Sequence, residues 1–299
     1  EESKMKRIIN FIKKIIIYAM NKNMLWFIPD KMYLKIKFYL IMGEKLNLDN
    51  PKTFNEKLQW LKLYDRKDIY TKMVDKYEAK EYAKNIIGEK YVVETYGVYD
   101  KFEDIDFSKL PNQFVLKPTH TSGNVYICKD KNAINYKELK KMINKWLKRD
   151  YYKIHREWPY KNVKRRIIAE KYLHELADED IKDYKFFVFN KKFAYSFVCS
   201  ERKTNLKFTF FDKNGKFIDM TQDNCPNDPS IQLPNNYNKM IELSEKLAKD
   251  TTEIRVDFYE INNKIYFGEL TFYDAAGFGK FEPTEWDQKI GMWLDLKQR

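Results

Sequence analysis

The residue types best suited to chemistry lie in Glu253–Phe281, EIRVDFYEINNKIYFGELTFYDAAGFGKF. The β-branched and aromatic residues of Ile254–Tyr259 and Ile265–Phe272 predict two strands, and Asn262-Asn263 supplies turn chemistry between them. Side chains alternate between the two faces of a strand. One face of the first strand is therefore apolar and suited to a core, whereas the other carries Arg255 and an acid two residues later.

The polar face of this predicted hairpin is compatible with a metal site. Asp257 lies directly opposite Glu269 if the loop has an odd number of residues, such as 262–264. A two-residue loop at 262–263 would instead place the two acids on opposite faces. Facing carboxylates repel each other unless a hard cation such as Mg²⁺ lies between them. The alternative is a solvated hairpin face that carries ordinary charges.

A second motif combines an apolar strand, a cation and a flexible loop. In FVLKPTHTSGNVYICKD, Lys117 ends a strand predicted over Gln113–Lys117, where an unpaired cation is unexpected. The following loop, Thr119–Asn124, is rich in hydroxyl groups and backbone donors that suit phosphate oxygens. His120 could polarise a bound group, and a solvated loop histidine is the alternative.

Helices are predicted before and after these motifs. Thr53 followed by Glu56 is a capping-box pattern that begins one helix. A break at 65–68 separates it from a second helix over Tyr70–Ile87, which contains Lys76. Two further amphipathic helices are predicted over Tyr136–Arg149 and Met240–Asp250.

Composition bounds the size and the partners of the protein. The 299 residues are 43% hydrophobic, which is enough for more than one lobe. The net charge of +12 favours anionic partners, although a biased composition would also produce it. The three cysteines, Cys128, Cys199 and Cys225, have no metal-type spacing and predict neither a disulfide framework nor an oxidising compartment. A cytoplasmic location follows.

The basic segment 4–42 begins with KMKRIINFIKKIIIYAM. Its apolar run Ile15–Met20 is too short to cross a bilayer, and no small-residue cleavage site indicates a signal peptide. The mixture of lysine, isoleucine and aromatic residues suits an amphipathic helix at the surface of an anionic membrane. It suits equally helices that pack on the body of the protein, and we favour packing.

The segment 151–166, YYKIHREWPYKNVKRR, interleaves aromatic and basic residues. Such a pattern can bind single-stranded nucleic acid by stacking and charge, hold a charged acceptor substrate, or form a packed loop. No recognised nucleic-acid module surrounds it, so we do not expect nucleic acid as a partner.

The order of these motifs resembles that of the ATP-grasp superfamily. The chain has Asp-Lys in a predicted helix, strand–Lys-Pro–loop–strand, Glu-Lys-Tyr-Leu, Asp-x-Lys and Arg-Val-Asp…Glu, in that order over about residues 70–281. Over nearly the whole chain, including FNEKLQWLK, NKWLKRDYYK, REWPYKN and GKFEP, it is similar to the TupA-like ATP-grasp proteins. That family is associated with teichuronopeptide and capsule assembly.

The resemblance implies an α+β fold in which two lobes with mainly antiparallel sheets hold ATP between them, preceded by a helical N-terminal region. We expect this region over 1–69, the N-terminal lobe with its phosphate loop over 70–169, and the C-terminal lobe with its metal-binding hairpin over 170–299.

The resemblance also implies a role for individual residues of this chain. Lys76 and Lys117 would contact ATP phosphates, while Arg255, Lys185 and Arg202 would face the transferred phosphoryl group. Mg²⁺ would be held by Asp257, Glu269 and Thr271. The remaining nucleotide contacts would be the phosphate loop (Thr119, His120, Ser122, Gly123, Asn124), the adenine hinge (Glu170, Lys171, Tyr172, Leu173) and Asp183 near the ribose.

Two positions depart from the family pattern. Thr271 stands where many members carry asparagine, so a second Mg²⁺ is less well supported. The predicted phosphate loop contains only Gly123 where other members are glycine-rich.

The function that we expect is that of an ATP-dependent carboxylate–amine ligase, because phosphoryl transfer needs mainly positioning and charge neutralisation. The acceptor would be an anionic saccharide or another carboxylate, with Arg156, Lys161 and Arg166 as expected contacts, and the second substrate an amine. An ATP-grasp kinase acting on a glycan hydroxyl and a non-catalytic basic protein that binds membrane or glycan are the alternatives. A glycosyltransferase is a further possibility, but we find no convincing Asp-x-Asp sugar-nucleotide signature.

Overall fold

The computed structural model describes residues 2–173 and 181–296, with residues 2–4 and 6 as backbone only. Helices surround two antiparallel sheets in this part of the chain. The helices are α1 (Glu2–Asn21), α2 (Asp30–Met42), α3 (Phe54–Tyr64), α4 (Asp68–Val74), α5 (Glu78–Ile87), α6 (Tyr136–Leu147), α7 (Tyr152–His155), α8 (Tyr237–Leu247) and α9 (Glu285–Trp293).

The smaller sheet has four strands in the order β1-β4-β2-β3, and the larger sheet has six in the order β11-β10-β5-β6-β7-β8. A third pair joins β9 to β12. The strands are β1 (Thr95–Tyr99), β2 (Phe114–Pro118), β3 (Tyr126–Cys128), β4 (Ile167–Glu170), β5 (Asp183–Phe189), β6 (Lys192–Ser200), β7 (Lys207–Asp212), β8 (Phe217–Ile218), β9 (Thr221–Gln222), β10 (Glu253–Ile261), β11 (Lys264–Thr271) and β12 (Phe281–Glu282). The predicted α+β class with antiparallel sheets is confirmed.

Each sheet has its own apolar core. One core lies between α6 and the smaller sheet, around Phe114 and Ile143. The larger sheet packs its apolar face on α8, where Phe186 and Met240 are fully buried. Helices α3, α4 and α5 share this second core through residues such as Leu58. Residues 70–87, which we expected in the N-terminal lobe, thus contribute to the core of the larger sheet.

The helix predicted over Tyr70–Ile87 is broken in the structure. The Asp75 carboxylate accepts hydrogen bonds from the backbone N–H groups of Tyr77 and Glu78, at 2.9 and 3.3 Å. These side-chain hydrogen bonds replace backbone hydrogen bonds of a continuous helix, so that α5 begins as a separate helix. Lys76 therefore lies in the connection between α4 and α5, where its N–H donates to the carbonyl of Thr119 at 3.1 Å. By contrast, the capping box of Thr53 and Glu56 forms as predicted.

The N-terminal helices form a third, smaller core around Tyr33, Leu34 and Phe38 of α2. Helix α1 contributes Met20 to this core, but most of its described side chains are exposed. Among the described residues, we find no helix with the length and apolar character needed to span a bilayer.

Candidate active site

A cleft lies between the two sheets. Its walls are Lys117 and Glu170 from the smaller sheet, Tyr259 and Glu269 from the larger one, and the α4–α5 connection. Because the cleft is bounded by elements of both sheets, a bound molecule would contact both.

Three charged side chains form a row across the larger sheet. Asp257 on the central strand β10 lies opposite Lys185 on β5 and opposite Glu269 on β11. The Lys185 ammonium donates to the Asp257 carboxylate. The apolar residues that alternate with them, such as Val256, are buried in the core. The predicted division of β10 into a polar and an apolar face is confirmed.

The pairing of Asp257 with Glu269 arises differently from the way that we expected. The turn has two residues, Asn262-Asn263, both with positive φ, and from Ile261 to Phe258 the pairs follow this turn. A β-bulge at Gly268 then shifts the register by one residue. The expectation that facing acids require a loop with an odd number of residues, such as 262–264, is therefore wrong, because the bulge supplies the extra residue.

Arg255 joins the acids of this site into one network. Its guanidinium donates to both oxygens of Asp257 at 2.7 and 2.8 Å and to Asp274 at 2.5 Å. One nitrogen, Nη2, also contacts oxygens of Glu269 at 3.2 Å and Thr271 at 3.1 Å. These partners raise the pKa of Arg255 far above its ordinary value despite burial.

The position of Arg255 Nη2 shows whether a metal ion would fit among the same oxygen atoms. Asp257, Glu269 and Thr271 place three hard oxygen ligands around one cationic atom, and Mg²⁺ prefers such ligands. Among the described residues, no group of three or more His, Cys, Asp or Glu side chains has the arrangement of a metal site as it stands. The donor set fits Mg²⁺, provided that Arg255 moves to other partners.

The charges of Lys185 and Glu269 are stabilised by their neighbours. Burial opposes ionisation of Glu269, but Lys76 and Arg255 lower its pKa to about 2. Burial also disfavours the ammonium of Lys185, yet Asp257 and Asp183 raise its pKa. Both groups are therefore charged near pH 7.

Two further predicted residues, Lys76 and Arg202, contact acids of the site. The Lys76 ammonium lies 3.6 Å from the Glu269 carboxylate, although the two residues are far apart in the sequence. Arg202 donates to Asp183 at 2.6 Å. Among the described residues, the other oxygen of Asp183, Oδ1, is buried without a hydrogen-bond partner.

The second predicted lysine, Lys117, is paired with Glu170, and a third lysine joins them. Lys80 donates to the same carboxylate at 2.8 Å and to the hydroxyl of Thr95 at 3.1 Å. Burial opposes ionisation of Glu170, but Lys117 and Lys80 outweigh it and lower its pKa to about 2. The rest of the predicted hinge continues from β4, and the N–H of Lys171 donates to the carbonyl of Glu94 at 3.0 Å.

The predicted phosphate loop has a packed and an exposed part. Thr119 is buried, and its hydroxyl donates to the carbonyl of Lys164 at 2.9 Å. His120 is also buried, with Nε2 3.2 Å from the carbonyl oxygen of Trp146. Burial lowers the pKa of His120 to about 4, so its imidazole is neutral near pH 7. Ser122 and Gly123 are exposed and are the part of the loop that a phosphate can reach.

The three expected acceptor contacts lie in other surroundings. Arg156 is 3% exposed, and its guanidinium points at backbone carbonyls of residues 25–28, so the structure gives it an internal role. Arg166 pairs with Asp75 at 3.0 Å and supports the α4–α5 connection. Lys161 is exposed, and its ammonium lies 5.7 Å from the centre of the Tyr152 ring.

Sequence reasoning missed two charged residues of the site. Lys80 lies four residues after Lys76, a spacing that could have drawn attention to a second cation near the same acids. Asp274 follows the hairpin, and one oxygen of its carboxylate accepts a hydrogen bond from Arg255. The second oxygen accepts a hydrogen bond from the Gln222 amide at 2.8 Å. No local signal distinguishes Asp274, because both of its partners come from other segments.

Residues 56–294 match the family model described as TupA-like ATPgrasp. The fold is therefore of the ATP-grasp class. The chain belongs to the TupA-like ATP-grasp family.

Solved structures that resemble the chain are more distant. The D-alanine–D-alanine ligase of Bacillus anthracis is 19% identical, with a TM-score of 0.41 over 67% of this chain and 57% of that one. The Helicobacter pylori enzyme of the same name is 16% identical, with a TM-score of 0.45 over 81% and 68%. An ADP complex of N5-carboxyaminoimidazole ribonucleotide synthetase is 15% identical, with a TM-score of 0.45 over 80% and 56%. The curated proteins contain no match.

Proposed function

We propose that the protein is an ATP-dependent carboxylate–amine ligase. A carboxylate oxygen of the acceptor attacks the γ-phosphorus of ATP, the bond to the β-phosphate oxygen breaks, and ADP leaves. The amine then attacks the carbonyl carbon of the acyl phosphate and displaces phosphate, losing a proton, which leaves an amide. This sequence needs a site that neutralises phosphate charge and holds both substrates.

The observation that best supports this proposal is the paired charge of the cleft. Four cations (Lys76, Lys185, Arg202, Arg255) and four acids (Asp183, Asp257, Glu269, Asp274) contact one another there. A site of this kind can accept an ATP anion together with Mg²⁺ by exchanging partners, because cations can turn to phosphates while acids turn to the metal.

The proposed roles follow from position. Lys76 and Lys117 bind phosphates, and the exposed part of the loop covers them. Asp257, Glu269 and Thr271 would hold Mg²⁺, which supplies charge neutralisation at the phosphates when bound. The hinge from Glu170 to Leu173 would contact adenine, and Asp183 the ribose. Arg255, Lys185 and Arg202 would stabilise the phosphoryl group during transfer.

The acceptor that we propose is a uronic acid, or an amino-acid polymer, of a surface polysaccharide. Membership of the TupA-like family and the net charge of +12 favour an anionic acceptor of this kind. The reaction would take place in the cytoplasm, at the inner face of the cell membrane.

The first experiment is calorimetric titration of the protein with a non-hydrolysable ATP analogue and Mg²⁺. We expect Asp257→Asn to weaken Mg²⁺-dependent binding by at least about tenfold, or ~1.4 kcal/mol. Asp219→Asn, which makes the same change at an exposed position, is the matched control and should bind as the wild type does.

Product analysis then separates the reaction classes. The wild type is incubated with ATP, glucuronate as the carboxylate probe and a panel of amino acids as the amine. Equal amounts of ADP, phosphate and amide support a ligase. A stable phosphoester without free phosphate means a kinase, and unchanged binding in Asp257→Asn argues for a protein that does not use this site.

A further inference from the structure

Exposed apolar side chains are concentrated near the N-terminus. In the described part of the chain, twelve large apolar side chains between residues 5 and 39 are exposed, against six in all the remaining described residues. The six lie at several other places along the chain, and exposed apolar residues in such small numbers are common on protein surfaces. The twelve therefore form the feature that needs an explanation.

The twelve side chains belong to one segment of the chain, residues 5–39, and we call them the N-terminal face. It consists of Met5, Ile8, Ile9, Phe11, Ile12, Ile15 and Tyr18 of α1, Met24, Trp26 and Phe27 of the connection, and Met32 and Tyr39 of α2. Residues 8, 11, 12, 15 and 18 recur at helical spacing and lie on one side of α1. Met20, about a third of a turn away, is fully buried against α2, so α1 is anchored by a different stripe.

The N-terminal face is also basic. Arg7, Lys14, Lys22, Lys31 and Lys35 are exposed within the same segment. Its one acid in residues 5–39, Asp30, is already bonded to Arg66 at 3.1 Å and to the Tyr152 hydroxyl at 2.6 Å. The exposed apolar stripe is thus bordered by cations without compensating acids of its own.

We propose that the N-terminal face docks on an anionic lipid surface. Apolar side chains can enter the boundary between headgroups and acyl chains while lysines contact the headgroups, which is how interfacial helices bind. Tyr18 and Trp26 suit this boundary because each has an apolar body and a polar tip. Association of two copies through this face would instead bring like charges together without acids to offset them.

The connection between α1 and α2 is held to the body of the protein. Arg156 donates to the carbonyls of Leu25, Trp26 and Ile28 at 3.2–3.4 Å, and the Lys153 ammonium lies 5.7 Å from the Trp26 ring. The same segment continues to Tyr160, which lines the cleft. Docking through the N-terminal face would therefore hold the cleft at a fixed orientation near the lipid surface.

The experiment is sedimentation of the whole chain with vesicles. Equal parts of phosphatidylglycerol and phosphatidylcholine are compared with phosphatidylcholine alone. We expect binding to the anionic vesicles only, and loss of most of it when NaCl rises from about 0.05 M to about 0.5 M. We expect the double variant Phe11→Glu/Ile15→Glu to weaken vesicle binding by at least about tenfold, because it removes apolar burial and adds repulsion.

A matched pair of methionine variants is the control. Met24 belongs to the N-terminal face and is 61% exposed, whereas Met292 lies outside this face and is 66% exposed. We therefore expect Met24→Glu to reduce vesicle binding and Met292→Glu to leave it unchanged. Both should keep the wild-type affinity for the Mg²⁺–ATP analogue, which shows that they fold. Equal binding to neutral vesicles, equal loss in the two variants, or no binding to anionic vesicles would overturn the proposal. A dimer in solution that Met24→Glu dissociates, without vesicle binding, would assign the face to a second copy.

Discussion

The cations of the cleft are paired with acids. Lys117 contacts Glu170, and Lys76 contacts Glu269. These pairs hold the two lysine side chains in place, and each lysine must leave its acid when it binds a phosphate. The energy of exchange is small only if each acid keeps another partner, because an unpaired buried charge is costly.

Lys80 is that second partner for Glu170. Replacing it by methionine leaves Lys117 as the remaining lysine on a carboxylate that is almost fully buried. Lys117 is then less free to turn to a phosphate, so we expect Lys80→Met to weaken binding of the ATP analogue about tenfold and to lower stability by about 1–3 kcal/mol. Calorimetric titration and urea unfolding measure the two effects.

Two variants make this test specific. Lys84→Met changes the same residue type one turn further along α5, where the side chain is exposed and pairs with Glu89, and it should have no measurable effect. Lys80→Arg keeps the charge beside Glu170 and should restore most of the affinity. Equal affinity in Lys80→Met and Lys84→Met would contradict the role given to Lys80.

At the scale of elements, two irregularities bring the site together. The break between α4 and α5 carries Lys76 to the larger sheet, and the bulge in β11 turns Glu269 towards Asp257. Each replaces regular hydrogen bonds with a local arrangement at the place where the cleft forms.

The bulge depends on the small size of Gly268. A Cβ atom there would lie 3.0 Å from the carbonyl oxygen of Asp257 and 3.1 Å from the ring of Tyr259. We expect Gly268→Val to disturb the pairing, to lower stability by about 1–3 kcal/mol, and to weaken Mg²⁺-dependent nucleotide binding more than tenfold. Thermal unfolding and calorimetry provide the two measurements.

Tyr266→Val is the control for this prediction, since it introduces the same residue into the same strand on the regular side of the bulge. It should cost stability without a comparable loss of nucleotide binding. If Gly268→Val binds the Mg²⁺–ATP analogue as the wild type does, the bulge does not determine the arrangement of the acids.

At the scale of the whole molecule, the larger sheet carries both the main core and half of the cleft. Buried ionisable groups beside that core link folding to pH. Glu253 at the start of β10 is 2% exposed and accepts a hydrogen bond from the N–H of Tyr273 at 3.3 Å. Burial raises the pKa of its carboxyl to about 8.

The raised pKa gives this pH dependence a definite sign. The neutral carboxyl stabilises the folded state fully below the pKa of the unfolded chain, about 4.3, and this contribution is lost as pH rises through about 8. We expect Glu253→Gln, which stays neutral, to gain stability relative to the wild type over this range, by at most about 1.4 kcal/mol per pH unit. Urea unfolding from pH 5 to pH 9 measures the difference. The exposed Glu285→Gln should show none, and a flat difference for Glu253→Gln would refute the linkage.

The sequence by itself determined the features that depend on neighbouring residues. Alternation along β10 separates Val256 from Asp257, and the pattern of Thr53 and Glu56 begins a helix, because both follow from local backbone geometry. The order of motifs along the chain also identified the family, which the family model confirms over residues 56–294.

The tertiary structure decided which distant side chains meet. Lys80 reaches Glu170 and Asp274 reaches Arg255 because separate segments pack together, and no periodicity encodes such contacts. The same reason explains Arg156: its sequence neighbours suggested a basic acceptor site, whereas the fold places the guanidinium against the carbonyls of residues 25–28. The sequence identifies a charged residue and its approximate position in an element. Its partner depends on how segments that are far apart in the sequence pack together.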